Sequence, residues 1–178
     1  MVKIYTKDEP VLRKIAVPIP VAEIPSKKIQ AVIDDMKIAL ASQDDGVAIC
    51  APQIGVSFRA FVIAGRILTD LASDAAGVES PELPDRVFIN PEIVKISKKT
   101  EWMEEGCLSL RYLYGKVKRA TKVRVSALDE FGKKFELGGS GLLAQIFQHE
   151  IDHLDGIVFT DKAKDVRDLP PEHSPTEK

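Results

Sequence analysis

Several features that would assign a chain to a special class are missing from this 178-residue sequence. No apolar run reaches the roughly 20 residues that a membrane-spanning helix needs, so we expect no membrane protein. The formal net charge is only −2, from 25 Lys and Arg residues against 27 Asp and Glu residues. The overall charge therefore gives no signal for a nucleic-acid or membrane partner. Hydrophobic residues make up 44% of the chain, which is typical of a globular protein with a buried core.

Cysteine is also scarce, since only Cys50 and Cys107 are present. The N-terminal segment MVKIYTKDEPVL has neither the apolar stretch of a secretory signal nor the composition of an organellar transit peptide. We therefore expect a cytoplasmic protein with reduced thiols. In that compartment a cysteine is more often buried, catalytic or metal-bound than disulfide-bonded.

The order of helix and strand signals predicts an α+β fold, with short, mainly antiparallel strands around a central C-terminal helix that carries an HExxH motif. A first helix is expected after Ser26, which can cap its N-terminus, because apolar residues then recur at helical spacing. Residues 58–64 are typical of a buried strand, and a hairpin is expected to turn near residues 129–132. The last helix is expected at 140–155, capped by Ser140.

Two further segments have turn-forming compositions. Residues 65–85 contain Gly, Asp, Ser and Pro in the pattern of a mobile surface loop. In the segment RVFINPEIVKIS we expect two strands separated by a corner at Asn90 and Pro91.

The segment QHEIDHLDGIVF contains two of the three histidines in the chain. On a helix His149 and His153 lie one turn apart on the same face, so they could bind one metal ion. Glu150 lies about 100° around the helix, where it could reach a water on that metal without being a ligand. This is the HExxH pattern of metal hydrolases. The alternative is a buried, hydrogen-bonded histidine pair, with Glu150 as a solvated helix residue.

A catalytic metal site usually needs a third protein ligand. The extended pattern HExxHxxGxxH fails because its last position is Phe159, and His173 lies in the polar end of the chain. The best candidate is Cys107 in EEGCLSL, since a thiolate binds zinc or ferrous iron strongly and Gly106 lets the backbone approach. The alternative for Cys107 is a small buried hydrophobic residue.

Three segments, in this order, resemble the signature motifs of the peptide deformylase family: GVAICAPQIG (46–55), EEGCLSL (104–110) and QHEIDH (148–153). The resemblance extends over nearly the whole chain. It implies an enzyme that removes the N-terminal formyl group from formyl-methionyl nascent polypeptides, with the ribosome as the expected place of action. Residues 1–166 are expected to form one catalytic domain and residues 167–178 a disordered tail.

Carried over residue by residue, the resemblance implies metal ligands at Cys107, His149 and His153 and a general base and acid at Glu150. Gln53 and the backbone N–H of Leu108 would bind the oxyanion. The family implies one divalent metal ion per chain, with ferrous iron first and zinc, nickel or cobalt as alternatives. Asp152 could support the site through Arg119 or be an ordinary charged helix residue. The sequence indicates no oligomeric state.

A peptide substrate is expected to pair with the backbone of residues 46–48, that is Gly46, Val47 and Ala48, as an added β-strand. The methionine side chain needs an apolar pocket, for which Val47, Leu142 and Ile146 are candidates. Core packing is the equal alternative for each. Leu142 and Ile146 share the histidine face of the helix, which indicates that this face is turned inward.

The chain departs from the usual family pattern at four positions. Ala48 stands where a glycine is usual, and a positive φ there would cost about 1–2 kcal/mol. Cys50 replaces an alanine, and a buried packing role is expected for it. Arg111 and Tyr112 follow EGCLS in place of Pro-Gly, beside the expected substrate groove.

Two other functions stay open at this stage. The altered groove is compatible with a related hydrolase that acts on another acyl amide. A non-catalytic peptide-binding or ribosome-associated protein is the second alternative, although such a protein is expected to lack a ligand or the base, and this chain retains all of them.

Overall fold

In the computed structural model, which describes residues 2–6 and 8–170, the chain forms three α-helices and eight β-strands. The helices are α1 (Lys27–Ala41), α2 (Gly65–Ala76) and α3 (Gly141–Leu154). The strands are β1 (Ala48–Cys50), β2 (Ala60–Ile63), β3 (Arg86–Ile96), β4 (Thr100–Gly106), β5 (Leu113–Ala120), β6 (Lys122–Leu128), β7 (Lys134–Ser140) and β8 (Lys164–Asp168).

The strands form two antiparallel sheets. One has five strands in the order β1-β2-β3-β6-β7, and the other has three in the order β4-β5-β8. The predicted α+β class is confirmed. A mixture of hairpins and one late helix excludes the alternating β-α-β pattern of parallel sheets.

The two faces of the five-stranded sheet are covered by different helices. Because side chains alternate along a strand, Ile49 contacts the α1 side while its neighbours Ala48 and Cys50 contact the α3 side. Helix α3 also packs against β5 of the smaller sheet. It therefore lies centrally between the two sheets, as predicted, and its buried residues include Phe147 and Leu154.

The first helix and the hairpin form for the predicted local reasons. The hydroxyl of Ser26 accepts a hydrogen bond from the Ile29 amide at 3.4 Å, which satisfies one free N–H group of α1. Between β6 and β7, the Asp129 carboxylate accepts from the backbone N–H groups of Phe131 and Lys133. Such side-chain bonds to the local backbone are the usual way that aspartate stabilises a turn.

The prediction of a mobile loop over 65–85 is wrong for residues 65–76, which form α2. The helix begins at Gly65, whose N–H donates to the carboxylate of Asp85 at 2.8 Å. A side chain at residue 65 would collide with the Leu83 carbonyl, at 2.0 Å from an added Cβ. The cap thus comes from a residue 20 positions away in sequence. Local sequence signals do not contain that information.

The predicted corner at Asn90 and Pro91 is also wrong in form. Strand β3 runs through both residues, with a register shift against β6 between Ile89 and Glu92. Asn90 has φ +49°, and its side chain bonds both the N–H and the carbonyl of Ile19 at 2.8 and 2.7 Å. These two bonds stabilise a bulge within one strand, so the strand does not end there.

The last helix and the chain end differ from prediction in detail. Ser140 occupies the N-cap position of α3, but its side chain makes no capping hydrogen bond. Arg167 and Asp168 belong to β8 and pair with β5, so ordered structure extends past the boundary predicted at residue 166. Residues 171–178, including His173, lie outside the described residues. Within the described part of the chain, no helix combines the length and apolarity that crossing a membrane requires.

Candidate active site

The three predicted ligands lie together. Cys107 directly follows β4, and His149 and His153 stand one turn apart on α3. One ligand atom from each of these residues lies within 4.8 Å of the other two. The Cys107 sulfur is 3.1 Å from Nε2 of His153. A thiolate and two imidazoles at this spacing form a donor set that fits zinc or ferrous iron.

The orientation of His149 is fixed by a buried chain of charged groups. Glu105 bonds the Nδ1 atom of His149 at 2.9 Å, which leaves Nε2 to face Cys107 and His153. A carboxylate on the far nitrogen of a ligand histidine is the common supporting arrangement in metal sites. The alternative of a histidine pair satisfied only by its own hydrogen bonds does not account for the third donor, the Cys107 sulfur, which converges with the two imidazoles.

Arg119 completes this chain. Its guanidinium donates two bonds to Glu105, at 2.6 and 3.0 Å, and one to Asp152 at 2.6 Å. The suggested link between Asp152 and the site through Arg119 is therefore present. Burial raises the pKa of Glu105, but its bonds to His149 and Arg119 outweigh burial and lower that pKa from 4.5 to about 2. Glu105 was not predicted as a site residue. Side chains alternate between the two faces of β4, so Glu105 is buried while its neighbour Glu104 is exposed.

The charge state of Cys107 suits a metal ligand. Burial opposes ionisation of the thiol, but the neighbouring imidazoles of His153 and His149 outweigh it and lower the pKa of Cys107 well below its ordinary value. The thiolate is the form that binds metals. The buried-hydrophobe interpretation of Cys107 is inconsistent with these polar neighbours.

Glu150 is buried, with 3% of its surface exposed, so it is not a solvated helix residue. It lines the same cavity as Cys107 and His149. Its Oε2 atom accepts no hydrogen bond from any described residue. Burial raises the pKa of Glu150, which brings this carboxyl closer to the range where proton transfer near neutral pH is efficient.

Gln53 follows β1 in a short 3₁₀ helix (Ala51–Ile54) and is 2% exposed. Its carbonyl oxygen accepts from the backbone N–H of Cys50 at 2.9 Å and from the Cys50 thiol at 3.3 Å. Its NH₂ group donates to Ser109 at 3.2 Å and lies 3.5 Å from the Cys107 sulfur. These contacts fix the amide with its donor group toward Cys107. Cys50 is fully buried, so its expected packing role is present together with this hydrogen bond.

Leu108 begins a second 3₁₀ helix (Leu108–Leu110) and also lines the cavity. The first N–H groups of a helix have no carbonyl partner within it. Leu108 is therefore suited by position to offer a backbone donor beside Cys107.

A cavity of about 340 Å³ opens onto these residues. Its walls include all five predicted substrate-binding residues, namely Gly46, Val47, Ala48, Leu142 and Ile146. Ile146 is buried, whereas Leu142 is 41% exposed. The prediction that the helix face carrying the histidines is buried is thus wrong at Leu142, because the cavity opens in front of this side chain. Strand β1 is the terminal strand of its sheet, so one of its edges faces this region without a strand partner among the described residues.

The departures from the family pattern have local explanations. Ala48 lies in β1 without a positive φ, so the strain considered for an alanine there does not arise. Arg111 pairs with Asp45 at 2.6 Å and also bonds Gln43, which ties two borders of the cavity together. Tyr112 has φ +66°, a left-handed conformation that glycine adopts more easily.

Removing Arg119 is expected to destabilise the fold strongly. Arg119→Met leaves the buried carboxylate of Glu105 without its cation, and breaking a buried pair in this way typically costs about 3–5 kcal/mol. Arg124→Met is the matched control, because Arg124 forms an exposed pair with Glu136 at 3.6 Å. Exposed pairs contribute about 0–1 kcal/mol. Urea denaturation of both variants measures the difference, and equal free energies of unfolding would contradict the role given to Arg119.

Comparison with known proteins agrees with this geometry. The model of the polypeptide deformylase family matches residues 1–168. Peptide deformylase 2 of Clostridium acetobutylicum is 42% identical over 159 residues, covering 89% of this chain and 93% of that protein. The peptide deformylase of Halothermothrix orenii is 44% identical over 154 residues, covering 86% and 88%. A class I type b peptide deformylase from Acinetobacter baumannii, solved with Met-Ala-Ser bound, is 34% identical with a TM-score of 0.77, covering 90% and 97%.

Proposed function

Since this chain belongs to the polypeptide deformylase family, whose metal-dependent members remove the N-terminal formyl group from nascent peptides, we propose that its reaction takes place between Cys107, His149, His153 and Glu150. The observation that supports this most strongly is the convergence of one thiolate and two imidazoles within 4.8 Å, beside a buried carboxylate. Residues 1–166 together with the end of β8 then form one catalytic domain.

Cys107, His149 and His153 bind one divalent cation in this proposal. A bound ion of this kind lowers the pKa of water toward neutrality and withdraws electron density from a carbonyl oxygen. Ferrous iron is the proposed resident metal, and zinc, nickel or cobalt could occupy the same donors, because a thiolate with two imidazoles suits each of them. Glu105 and Arg119 keep the imidazole of His149 in the orientation that presents Nε2.

Glu150 is the proton carrier. Its unpartnered Oε2 accepts a proton from the attacking water and later delivers it to the nitrogen of the leaving amine. A formamide is protected by resonance, so both an activated nucleophile and a proton for the amine are needed. General base and acid work of this kind contributes roughly 10²–10⁴ in rate.

Gln53 and the backbone N–H of Leu108 stabilise the oxygen that becomes negative as water adds to the formyl carbon. The Gln53 amide is suited to this because Cys50 and Ser109 fix it before substrate arrives. Donors that are already oriented cost no rearrangement at the moment of reaction.

Gln53→Ala is therefore expected to lower kcat by about 10²–10³, since that is the typical loss when one such donor is removed. KM should change little, because the bond strengthens only as charge develops on the oxygen. Steady-state kinetics with a formyl-methionyl peptide measure both constants. A kcat equal to that of the parent enzyme would remove Gln53 from the mechanism.

The substrate lies along the free edge of β1 and places its methionine side chain in the 340 Å³ cavity. An added strand bonds through its backbone, so later side chains of the peptide contribute less to recognition. The Acinetobacter relative solved with Met-Ala-Ser supports a peptide of this kind in the cavity. Nascent chains at the ribosome, in the cytoplasm, are the proposed source of substrate.

Discrimination against acetyl peptides tests the proposed function. Formyl-Met-Ala-Ser and acetyl-Met-Ala-Ser are assayed side by side with metal-loaded enzyme under oxygen-free conditions. One added carbon changes transition-state binding by about 1–3 kcal/mol, so formyl should be preferred by roughly 10–200-fold. The altered groove at Arg111 and Tyr112 motivates the second candidate, a hydrolase of another acyl amide. Preference for the acetyl peptide would support that candidate and overturn the deformylase proposal.

A further inference from the structure

The outer face of the three-stranded sheet carries a local positive charge, although the net charge of the whole chain is −2. Residues directly opposite each other in an antiparallel pair share a face. Trp102 is paired with Lys118, and Glu104 with Lys116. Lys116 is also paired with Lys164. These cross-strand pairs place three lysines around Trp102 on one face.

Two side-chain contacts confirm that β4 and β8 contribute to the same face. The ammonium group of Lys164 on β8 lies over the Trp102 ring on β4, 4.8 Å from its centre. Arg167 on β8 forms an ion pair with Glu104 on β4. Glu104 is therefore already neutralised by Arg167. Lys116, Lys118 and Lys164 are exposed, and no salt bridge is formed by any of them within the described residues.

Trp102 is 47% exposed although it is the one tryptophan of the chain and a large apolar residue. An aromatic ring flanked by cations is the arrangement that binds single-stranded nucleic acid. In this arrangement the Lys164 ammonium moves from the ring of Trp102 to a phosphate, an unpaired base stacks on the ring, and the other lysines bind the neighbouring phosphates. An acidic protein segment would pair with the lysines but would offer no base to stack on the indole in place of the Lys164 ammonium.

We propose that this face, defined by Trp102, Lys116, Lys118 and Lys164, binds a single-stranded segment of RNA. The choice of RNA rests on the proposed function, because RNA is the nucleic acid that lies beside a nascent chain, the proposed substrate. The face also adjoins the substrate cavity, because Glu104 and Tyr114, on the same strands, line that cavity. The net charge of the whole chain gave no signal for a nucleic-acid partner, because it averages over this local concentration of cations.

Trp102 itself provides the test, because its fluorescence is the only tryptophan signal of the protein. The probe is an oligouridylate of about 10 nucleotides, within the range that single-strand sites cover. Stacking predicts saturable quenching of the emission. Three phosphate contacts predict that the logarithm of the binding constant falls with the logarithm of salt concentration with a slope of about −2. Absence of quenching at low salt overturns the proposal.

Matched variants locate the site. Lys116→Gln with Lys164→Gln is expected to weaken binding about tenfold or more and to make the salt slope shallower by about 1 to 2. The control is Lys122→Gln with Arg124→Gln, which removes the same charge from a basic cavity on the five-stranded sheet. Binding by the control should stay within about twofold of the parent protein, because long-range charge effects are screened by salt. Equal weakening in both double variants overturns a site on this face.

Trp102→Leu is followed with fluorescently labelled RNA, and about tenfold weaker binding is expected from loss of one stacked base. Turnover of formyl-methionyl peptide, unchanged in all these variants, shows that each is folded, since none of the residues lies in the active site. Polyglutamate serves as the competitor. If polyglutamate displaces the RNA at equal charge concentration, the partner is an acidic polymer in general and the RNA proposal is overturned. These binding measurements use no turnover, so they are independent of the proposed mechanism.

Discussion

Glu150→Gln is expected to reduce the turnover of a formyl-methionyl peptide by roughly 10²–10⁴, the range that general base and acid catalysis supplies. The substitution keeps the size of the side chain and removes its ability to accept a proton. Glu105, the other buried carboxylate that lines the cavity, is held by His149 and Arg119 and is therefore not free to take over this role. Single-turnover kinetics with metal-loaded enzyme measure the loss in the chemical step.

Glu150→Gln could lose turnover because proton transfer is lost or because the metal is lost, and the metal content of the variant separates these two explanations. Glu150 contributes no donor atom to the ligand set, so Glu150→Gln should retain one metal ion per chain. Glu136→Gln is the matched control, because that carboxylate is exposed on β7. It should leave turnover unchanged. Full turnover by Glu150→Gln with metal still bound would remove the proton transfer proposed for this residue.

Cys107→Ala is expected to have the second large effect, loss of the metal together with activity. The substitution removes one of three protein ligands, and even loss of a supporting partner outside the ligand set typically costs roughly 10–100-fold in metal affinity. Removing the thiolate should reduce metal affinity further, because the two remaining imidazoles are neutral and carry no negative charge to balance a divalent ion. Titration with cobalt, whose absorption reports thiolate coordination, measures the affinity directly.

The other cysteine provides the control for this experiment. Cys50→Ala changes a residue that is buried beside Gln53 and is not among the ligand donors. Its metal content should equal that of the parent protein. Tight binding of cobalt by Cys107→Ala, with unchanged absorption, would contradict the assignment of the sulfur ligand.

The helix that carries the two histidines could be predicted because its signals are local. Apolar residues recur at helical spacing, and the four-residue separation of His149 and His153 has a direct geometric meaning. The hairpin around Asp129 is similar, since its turn is stabilised by bonds over four residues or fewer. Periodicity and turn chemistry are sufficient wherever the stabilising contacts lie within one element.

The errors arose where the stabilising contact is distant in sequence. The cap of α2 comes from Asp85, and the bulge in β3 depends on bonds between Asn90 and Ile19, which is 71 residues away. Composition indicated a loop and a corner there because Gly, Asp and Pro favour turns on their own. Tertiary contacts override such preferences without leaving a local signal.

The same distinction applies to the site. Cys107 could be chosen as a third ligand by residue type, but its 3.1 Å approach to His153 depends on how β4 ends beside α3. Only part of the hydrogen-bonded chain Glu105–Arg119–Asp152 could be predicted from the sequence. Glu105 is one of two adjacent glutamates whose side chains point to opposite faces of β4. Burial separates them, with Glu105 inside and Glu104 outside. Sequence alone gives both the same preference.

X-ray absorption at the metal edge of the zinc-loaded protein tests the central claim most directly. One cation bound by the side chains of Cys107, His149 and His153 predicts a single sulfur neighbour at about 2.3 Å and two imidazole nitrogens at about 2.0–2.1 Å. The sulfur contribution should disappear in any residual metal bound by Cys107→Ala. A spectrum of the parent protein with oxygen and nitrogen neighbours alone would contradict the claim, because the ion would then lie elsewhere.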